Sequence, residues 1–222
     1  MAVAYADVCS AIGVPFEVIG RGDRSADAFE AETGLPVRRG GLERTLSRWP
    51  PPTSAIVAVP IDGLATAAGL LVGSGVGRIL VEKPGGLDSV EIRNLARNAR
   101  DSEVEVLVGY NRRFLASVTE ARRLIEADGG PMSCTFGFGE RTNLTTDLDL
   151  PARVLSRWFL GNSSHVVDLA FHLIGRPTEL SATTSGELDW HPAASQFYGS
   201  GTTDRGVTFE YRADWSAPGS WR

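Results

Sequence analysis

Short apolar runs alternate with amphipathic segments along the first half of the chain. Four runs, bounded by Gly, Pro or polar turns, have the character of buried parallel strands: residues 16–19, 55–59, 78–81 and 105–108. Helical spacing of apolar residues marks the segments 3–12, 25–33, 62–72 and 88–100. Because strands that alternate with helices form parallel sheets, this half is predicted to be a doubly wound α/β sheet.

The pattern changes after residue 111. A helix that carries Val118 and Leu124 is followed by strand-like segments at 133–138, 180–184 and 207–211, with a further helix at 165–173. The polar stretch 142–149 is predicted to be a loop. Clustered strands with few helices are typical of an α+β domain. We therefore predict two domains, residues 1–112 and 113–222, the second with an open, mainly antiparallel sheet.

Composition narrows the class of protein. The net charge is −5, from 22 basic and 27 acidic residues, and 42% of the residues are hydrophobic. These values exclude a polyanion binder by bulk charge and favour a globular protein over a disordered one. With two cysteines, no secretory leader and no apolar run long enough to span a bilayer, the expected compartment is the cytoplasm, and neither nucleic acid nor a membrane is an expected partner.

The basic residues are 21 Arg and one Lys, Lys83. Lys83 stands two residues after the end of the predicted strand 78–81 and precedes Pro84. Ligands of doubly wound sheets bind at the carboxyl ends of the strands, and a compact ammonium there can donate hydrogen bonds or a proton. The alternative interpretation is an ordinary surface turn in a chain that favours Arg.

Three polar residues share one face of the predicted helix 165–173. His165, Asp168 and His172 stand at positions i, i+3 and i+7. A neutral histidine can take a proton from a substrate hydroxyl, and a carboxylate one turn away can orient the ring. A hydrogen-bonded core pair is the structural alternative. A metal site is not expected, because one helix supplies only part of a coordination shell.

The sequence carries no complete dinucleotide fingerprint. Gly20, Arg21 and Gly22 follow a strand and precede a helix, but Ser25 stands where a third glycine would be. A helix at 3–12 opens the fold, in the position of a first crossover helix. The strand and glycine loop expected upstream of that helix are not encoded.

Three motifs together resemble one family. Residues 81–84 (VEKP), residues 109–114 (GYNRRF) and the pattern His165-x-x-Asp168-x-x-x-His172 resemble, in order and spacing, the Gfo/Idh/MocA family of NAD(P)-dependent sugar and cyclitol oxidoreductases. The resemblance implies a Rossmann-like first domain, a second domain whose open sheet carries the substrate pocket, and a homo-oligomer formed through that sheet. Relative to the family, the chain lacks the first strand with its Gly-rich loop and the last strands, so truncation at both ends is expected.

The resemblance also assigns roles to residues. It implies catalytic roles for Lys83, Asp168 and His172, cofactor contacts for Arg21, Pro60, Glu82, Lys83 and Pro84, and substrate contacts for Arg112, Asn162 and His165. The implied reaction transfers hydride between a nicotinamide cofactor and a hydroxyl or keto group of a sugar, nucleotide sugar or cyclitol. Arg21, in place of an acidic residue, favours NADP over NAD. The alternative is a non-catalytic remnant that binds a carbohydrate or a protein.

Two structural expectations follow. The absent first strand would lie between the strands at 16–19 and 55–59, so these two strands should not pair with each other. Catalysis further requires that the side chains of Lys83 and His172 line the same cleft.

Overall fold

The computed structural model describes residues 1–140, 142–145 and 148–217. The chain divides into two compact units, Met1–Gly109 and Tyr110–Arg222. The division falls three residues before the end of the predicted first domain. Within the described residues, no helix is both long enough and apolar enough to cross a membrane.

The first unit alternates helices and strands, as the hydrophobic pattern predicts. Its helices are α1 (Ala2–Ala11), α2 (Asp23–Thr33), α3 (Gly41–Leu46), α4 (Leu64–Gly73) and α5 (Ser89–Asp101), and its strands are β1 (Val18–Ile19), β2 (Val37–Arg38), β3 (Ser54–Val57), β4 (Arg78–Val81) and β5 (Glu105–Val108). The predicted bounds of β4 and β5 are confirmed. The Asp88 side chain caps α5 by accepting from the N–H groups of Val90 and Glu91, at 2.8 and 3.0 Å.

The strands of this unit form two parallel sheets, not one. β1 pairs with β2, whereas β3, β4 and β5 form a separate sheet in that order. The prediction of a single sheet is therefore wrong in detail, because no described strand joins β1 to β3. The expectation that these two strands do not pair with each other is confirmed. Strand β2 and helix α3 were not predicted, since two residues or one short helical turn leave no periodic signal.

Each sheet of the first unit has its own apolar cluster. Val76, Ile79, Leu64 and Ala68 lie at the centre of the cluster between β3–β5 and helices α4 and α5. A smaller cluster, built around Phe29, packs α1 and α2 on β2. Large apolar side chains beside the unpaired edges stay partly exposed, among them Ile19 (37%) and Ile56 (43%).

The second unit contains a four-stranded sheet. Its helices are α6 (Ala116–Ala127), α7 (Thr142–Thr145), α8 (Ala152–Leu155) and α9 (Ser164–Ile174), and its strands are β6 (Ser133–Phe138), β7 (Pro177–Ser185), β8 (Gln196–Thr203) and β9 (Thr208–Asp214). The sheet order is β6-β9-β8-β7, with antiparallel pairs except between β6 and β9. The mainly antiparallel sheet is thus confirmed, but β8 was missed because its glycines interrupt the apolar alternation. The predicted loop at 142–149 begins instead with the short helix α7; residues 146 and 147 lie outside the described residues.

Aromatic side chains form the core of this unit. Trp215 is 1% exposed and contacts Phe197, with ring centroids 4.5 Å apart. Phe138 and Phe159 extend the same cluster. A second cluster, around Phe209, packs α9 against the sheet through Phe171, at 5.0 Å between ring centroids. Helix α9, which carries the predicted histidine and aspartate residues, is therefore held by packing along its length.

Candidate functional site

The carboxyl ends of β3, β4 and β5 lie at one edge of their sheet. The register aligns Val57 with Val81 and Val81 with Val108, so the segments that follow these residues leave the sheet side by side. Pro60 follows β3, and Glu82, Lys83 and Pro84 follow β4. Four of the five predicted cofactor-binding residues therefore lie at one sheet edge, the usual ligand position in open parallel sheets.

The loop after Lys83 is tightly packed. Pro84, Gly85 and Gly86 are buried, and the peptide bond between Lys83 and Pro84 is cis. Gly85 adopts a φ of +89°, which favours glycine, and a Cβ there would lie 3.1 Å from Val108 Cγ2. The packing fixes the backbone that carries the lysine.

Glu82 is buried at the base of this loop. The hydroxyl of Tyr5, on α1, donates to Glu82 Oε1 at 2.8 Å, and the backbone N–H of Lys83 donates to Oε2 at 3.1 Å. Burial raises the pKa of Tyr5 above its ordinary value, and the hydrogen bond to Glu82 and its negative charge raise it further. Tyr5 thus remains a hydrogen-bond donor at neutral pH.

Arg21 lies elsewhere in the first unit. It is exposed in the turn between β1 and α2, on the two-stranded sheet. Gly20, beside it, packs so closely on β2 that a Cβ would lie 2.7 Å from Val37 Cγ1. The glycine at this turn is therefore explained by packing of the protein on itself.

In the second unit, an ion pair occupies the centre of the histidine face of α9. Arg113 donates from Nε and Nη2 to the two carboxylate oxygens of Asp168, the Nε bond being 2.8 Å long. The Asp168 side chain is 11% exposed and that of Arg113 is 41% exposed. Both oxygens of the predicted catalytic carboxylate therefore already accept from arginine, and Arg113 presents the more accessible surface of the pair.

Tyr110 closes the same cluster. Its ring contacts that of His165 edge to face, with centroids 6.0 Å apart, and the Arg113 guanidinium lies 5.9 Å from the Tyr110 ring centroid. Burial raises the pKa of the Tyr110 hydroxyl, and the Asp168 charge raises it too, against the opposing effects of Ser164 and Arg113. The phenol is therefore protonated at neutral pH.

His172 lies within the field of this cluster. Burial lowers its pKa, and the positive charges of Arg113 and Arg122 lower it further, whereas Asp168 opposes the change. A histidine whose pKa lies below the usual range is neutral at pH 7 and able to accept a proton. Of the three residues that the sequence placed on one helix face, His165 contacts Tyr110 and Asp168 pairs with Arg113, and His172 follows one turn later on α9.

Asn162 has a partner that the sequence did not indicate. Its side-chain amide donates to Glu140 Oε2 and the Ser163 hydroxyl donates to Glu140 Oε1, both at 2.7 Å. Glu140 is 7% exposed and stands two residues after the end of β6. These bonds hold a π-helical turn, Phe159–Ser163, that leads into α9. Such turns recur beside functional sites.

Four residues of these clusters were not predicted: Tyr5, Tyr110, Arg113 and Glu140. Arg113 and Tyr110 lie in the GYNRRF motif. The motif was recognised in the sequence, but the substrate contact was assigned to Arg112 in place of its neighbour Arg113. Arg112 lies half-buried in the 3₁₀ turn Asn111–Phe114. Tyr5 and Glu140 meet partners distant in sequence, which a single sequence does not reveal. Within the described residues, no group of three or more His, Cys, Asp or Glu side chains could hold a metal ion.

Comparison with known proteins supports the fold. The sequence matches no protein-family model and no curated protein. Solved structures do match. WlbA dehydrogenase from Chromobacterium violaceum, in complex with NADH and UDP-GlcNAcA, superimposes with a TM-score of 0.78 at 14% identity, over 98% of this chain and 65% of that one. This chain therefore shares the fold of WlbA over that length.

Two further structures agree. UDP-N-acetylglucosamine 3-dehydrogenase GnnA from Acidithiobacillus ferrooxidans gives a TM-score of 0.72 at 17% identity, over 98% of this chain and 67% of GnnA. GenD2 from gentamicin A biosynthesis, in complex with NAD, gives a TM-score of 0.78 at 19% identity, over 99% of this chain and 64% of GenD2. The chain spans less than two thirds of WlbA and of GenD2. The predicted fold, a Rossmann-like unit followed by an α+β unit, is confirmed.

Proposed function

We propose that the chain carries the catalytic residues of an oxidoreductase that transfers hydride between a nicotinamide cofactor and a hydroxyl or keto group of a sugar, nucleotide sugar or cyclitol. The observation that carries the proposal is the placement of His172 on the packed helix α9, one turn after Asp168, whose carboxylate is paired with Arg113. The fold shared with WlbA, GnnA and GenD2 supports it, as does the lone lysine at the carboxyl edge of β4.

The residues fit the two halves of such a reaction. The nicotinamide, when bound, supplies the acceptor or donor of hydride. His172 takes the hydroxyl proton during oxidation, because its neutral form is favoured. Asp168 then stabilises the imidazolium while it holds Arg113 in place. Lys83 would donate hydrogen bonds to the substrate and to the nicotinamide when these are bound.

The cofactor is proposed to be NAD or NADP, bound at the carboxyl edges of the parallel strands. Lys83, which follows β4 at this edge, would supply a hydrogen-bond donor for the nicotinamide end. Arg21, exposed after β1, suits the 2′-phosphate of NADP. The structures of WlbA and GenD2 hold NADH and NAD respectively, which supports the unphosphorylated cofactor. Paired titrations with the two cofactors decide between them.

The test of function uses the purified chain. NAD(P) reduction is followed by absorbance with a panel of sugars, nucleotide sugars and cyclitols. We expect Lys83→Ala and His172→Ala each to lower turnover by about 10²-fold or more. If the two residues serve one reaction, the double variant should lose far less than the product of the single losses. Full activity in either single variant would remove that residue from the mechanism.

A second copy of the chain is the proposed partner of the open sheet. Every residue of β7 is exposed, and the adjoining face of the sheet bears the polar side chains of Thr135, Ser181, Ser200, Glu210 and Arg212. Sedimentation at increasing concentration tests this proposal, with Ser181→Arg as the variant expected to disrupt the pairing. The free cysteines, Cys9 and Cys134, accord with the proposed cytoplasmic location.

A further inference from the structure

A buried carboxylate stands directly before the lone lysine. Glu82 is 8% exposed, and its two oxygens accept from the Tyr5 hydroxyl at 2.8 Å and from the Lys83 N–H at 3.1 Å. A charged group removed from water is costly unless it is hydrogen-bonded. Because the two donors approach different oxygens, together they fix the rotation of the carboxylate as well as its position.

Tyr5 reaches Glu82 across 77 positions of the chain, from helix α1. Its hydroxyl occupies space beside Gly109, at the end of β5. A Cβ on Gly109 would lie 3.3 Å from the Tyr5 hydroxyl oxygen and 3.4 Å from the Val81 carbonyl oxygen. The Gly109 N–H donates to that same carbonyl at 2.8 Å, so the backbone there has little freedom to retreat. The absence of a side chain at 109 thus leaves room for the phenol.

We infer that Tyr5 is a positioning residue for Lys83, because its hydroxyl holds Glu82 and Glu82 holds the backbone N–H of Lys83. We call this arrangement the Tyr5–Glu82–Lys83 clamp. A role of this clamp in catalysis rests on the proposed function. The clamp itself consists only of contacts within the chain and needs no ligand. Neighbouring backbone bonds do not depend on Tyr5: the Glu82 N–H donates to Val57 O at 2.9 Å, within the sheet.

Amide hydrogen exchange of Tyr5→Phe tests the clamp directly. The substitution keeps the ring and removes the donor, so Glu82 loses the bond that orients it. We expect the Lys83 amide to exchange about tenfold faster or more. The amides of Glu82 and Gly109, whose acceptors are backbone carbonyls, should keep their rates. Tyr198→Phe, which removes a hydroxyl from β8 of the second unit, is the matched control and should change none of the three.

The single lysine provides a second measurement. Reductive methylation with ¹³C-formaldehyde labels Lys83 and the terminal amine alone, which gives one side-chain NMR signal from the lysine. We expect this signal to shift in Tyr5→Phe and in Gly109→Ala, where the added methyl displaces the phenol, and to stay in place in Tyr198→Phe.

Two results would overturn the inference. One is an unchanged Lys83 amide and methyl signal in Tyr5→Phe. The other is equal acceleration of the Glu82, Lys83 and Gly109 amides, which would show that Tyr5 only stabilises the unit as a whole.

A titration with NADH separates this inference from the proposed function. If both hold, Tyr5→Phe weakens NADH binding several-fold, whereas Tyr198→Phe does not. If the unaltered chain binds no NADH but the Lys83 amide still responds selectively to Tyr5→Phe, the proposed function fails and the clamp stands. If Tyr5→Phe weakens NADH binding without any change in the exchange of the Lys83 amide, the clamp is overturned and the proposed function stands.

Discussion

The two units of the chain hold their polar residues by different means. In the first, two-residue strands β1 and β2 form a sheet of their own, and Tyr5 of α1 donates a hydrogen bond to Glu82, which in turn accepts from the backbone N–H of Lys83. In the second, strands of six to nine residues carry an aromatic core, and an ion pair fixes the polar face of α9. The first arrangement depends on a few precise contacts, whereas the second depends on packing.

The stability of the two units should therefore respond differently to loss of an aromatic ring. Trp215→Ala removes a side chain that is 1% exposed, and we expect it to lower the free energy of unfolding of the second unit by about 3–5 kcal/mol. Trp49→Ala, at a position 44% exposed in the first unit, is the control and should cost less than about 1 kcal/mol. Denaturant unfolding measures both. Equal costs would contradict the comparison.

Local opening should follow the same division. We expect the backbone amides of β1 and β2 to exchange about 10²-fold faster than those in the middle of β8 and β9, because two residue pairs of ladder offer little protection. Hydrogen exchange followed by NMR provides the measurement. Slow exchange throughout β1 and β2 would show that the small sheet is supported by more than its own ladder.

The preference for NADPH or NADH tests the role of Arg21, which is exposed in the turn between β1 and α2. We expect Arg21→Ala to weaken NADPH binding about tenfold while NADH binding stays unchanged, since only NADPH carries a 2′-phosphate. Arg24→Ala, three residues along in α2, is the matched control. Equal weakening of both cofactors by Arg21→Ala would assign the residue a general electrostatic effect.

The smallest effect concerns the charge balance around His172. Arg113→Gln should raise the His172 pKa and Asp168→Asn should lower it, because the arginine disfavours and the aspartate favours the imidazolium. The pKa of His172 is lower in the folded chain than in the unfolded one. Between these two pKa values the unfolded chain therefore binds more protons than the folded chain. The contribution to stability is thus present at neutral pH and lost in acid. NMR titration of the three histidines checks the signs; shifts in the same direction would contradict the arrangement.

The sequence predicted the elements with strong periodicity and missed the contacts that join them. Bounds for β4, β5 and β6 were correct because continuous or alternating apolar runs ended at clear turns. The same reasoning overlooked β8, whose glycines hide its alternation, and predicted one parallel sheet in the first unit where the structure has two. Polar residues on one helix face were placed well by the 3.6-residue period, yet the Arg113–Asp168 pair joins positions 55 residues apart.

The most direct test of the proposed oxidoreductase is a fluorescence titration of the purified chain with NADH and NADPH, with Lys83→Ala measured in parallel. The account predicts saturable binding of at least one cofactor, at a dissociation constant that rises about tenfold or more in Lys83→Ala. Absence of saturable binding by either cofactor would contradict it and favour the non-catalytic, carbohydrate- or protein-binding alternative.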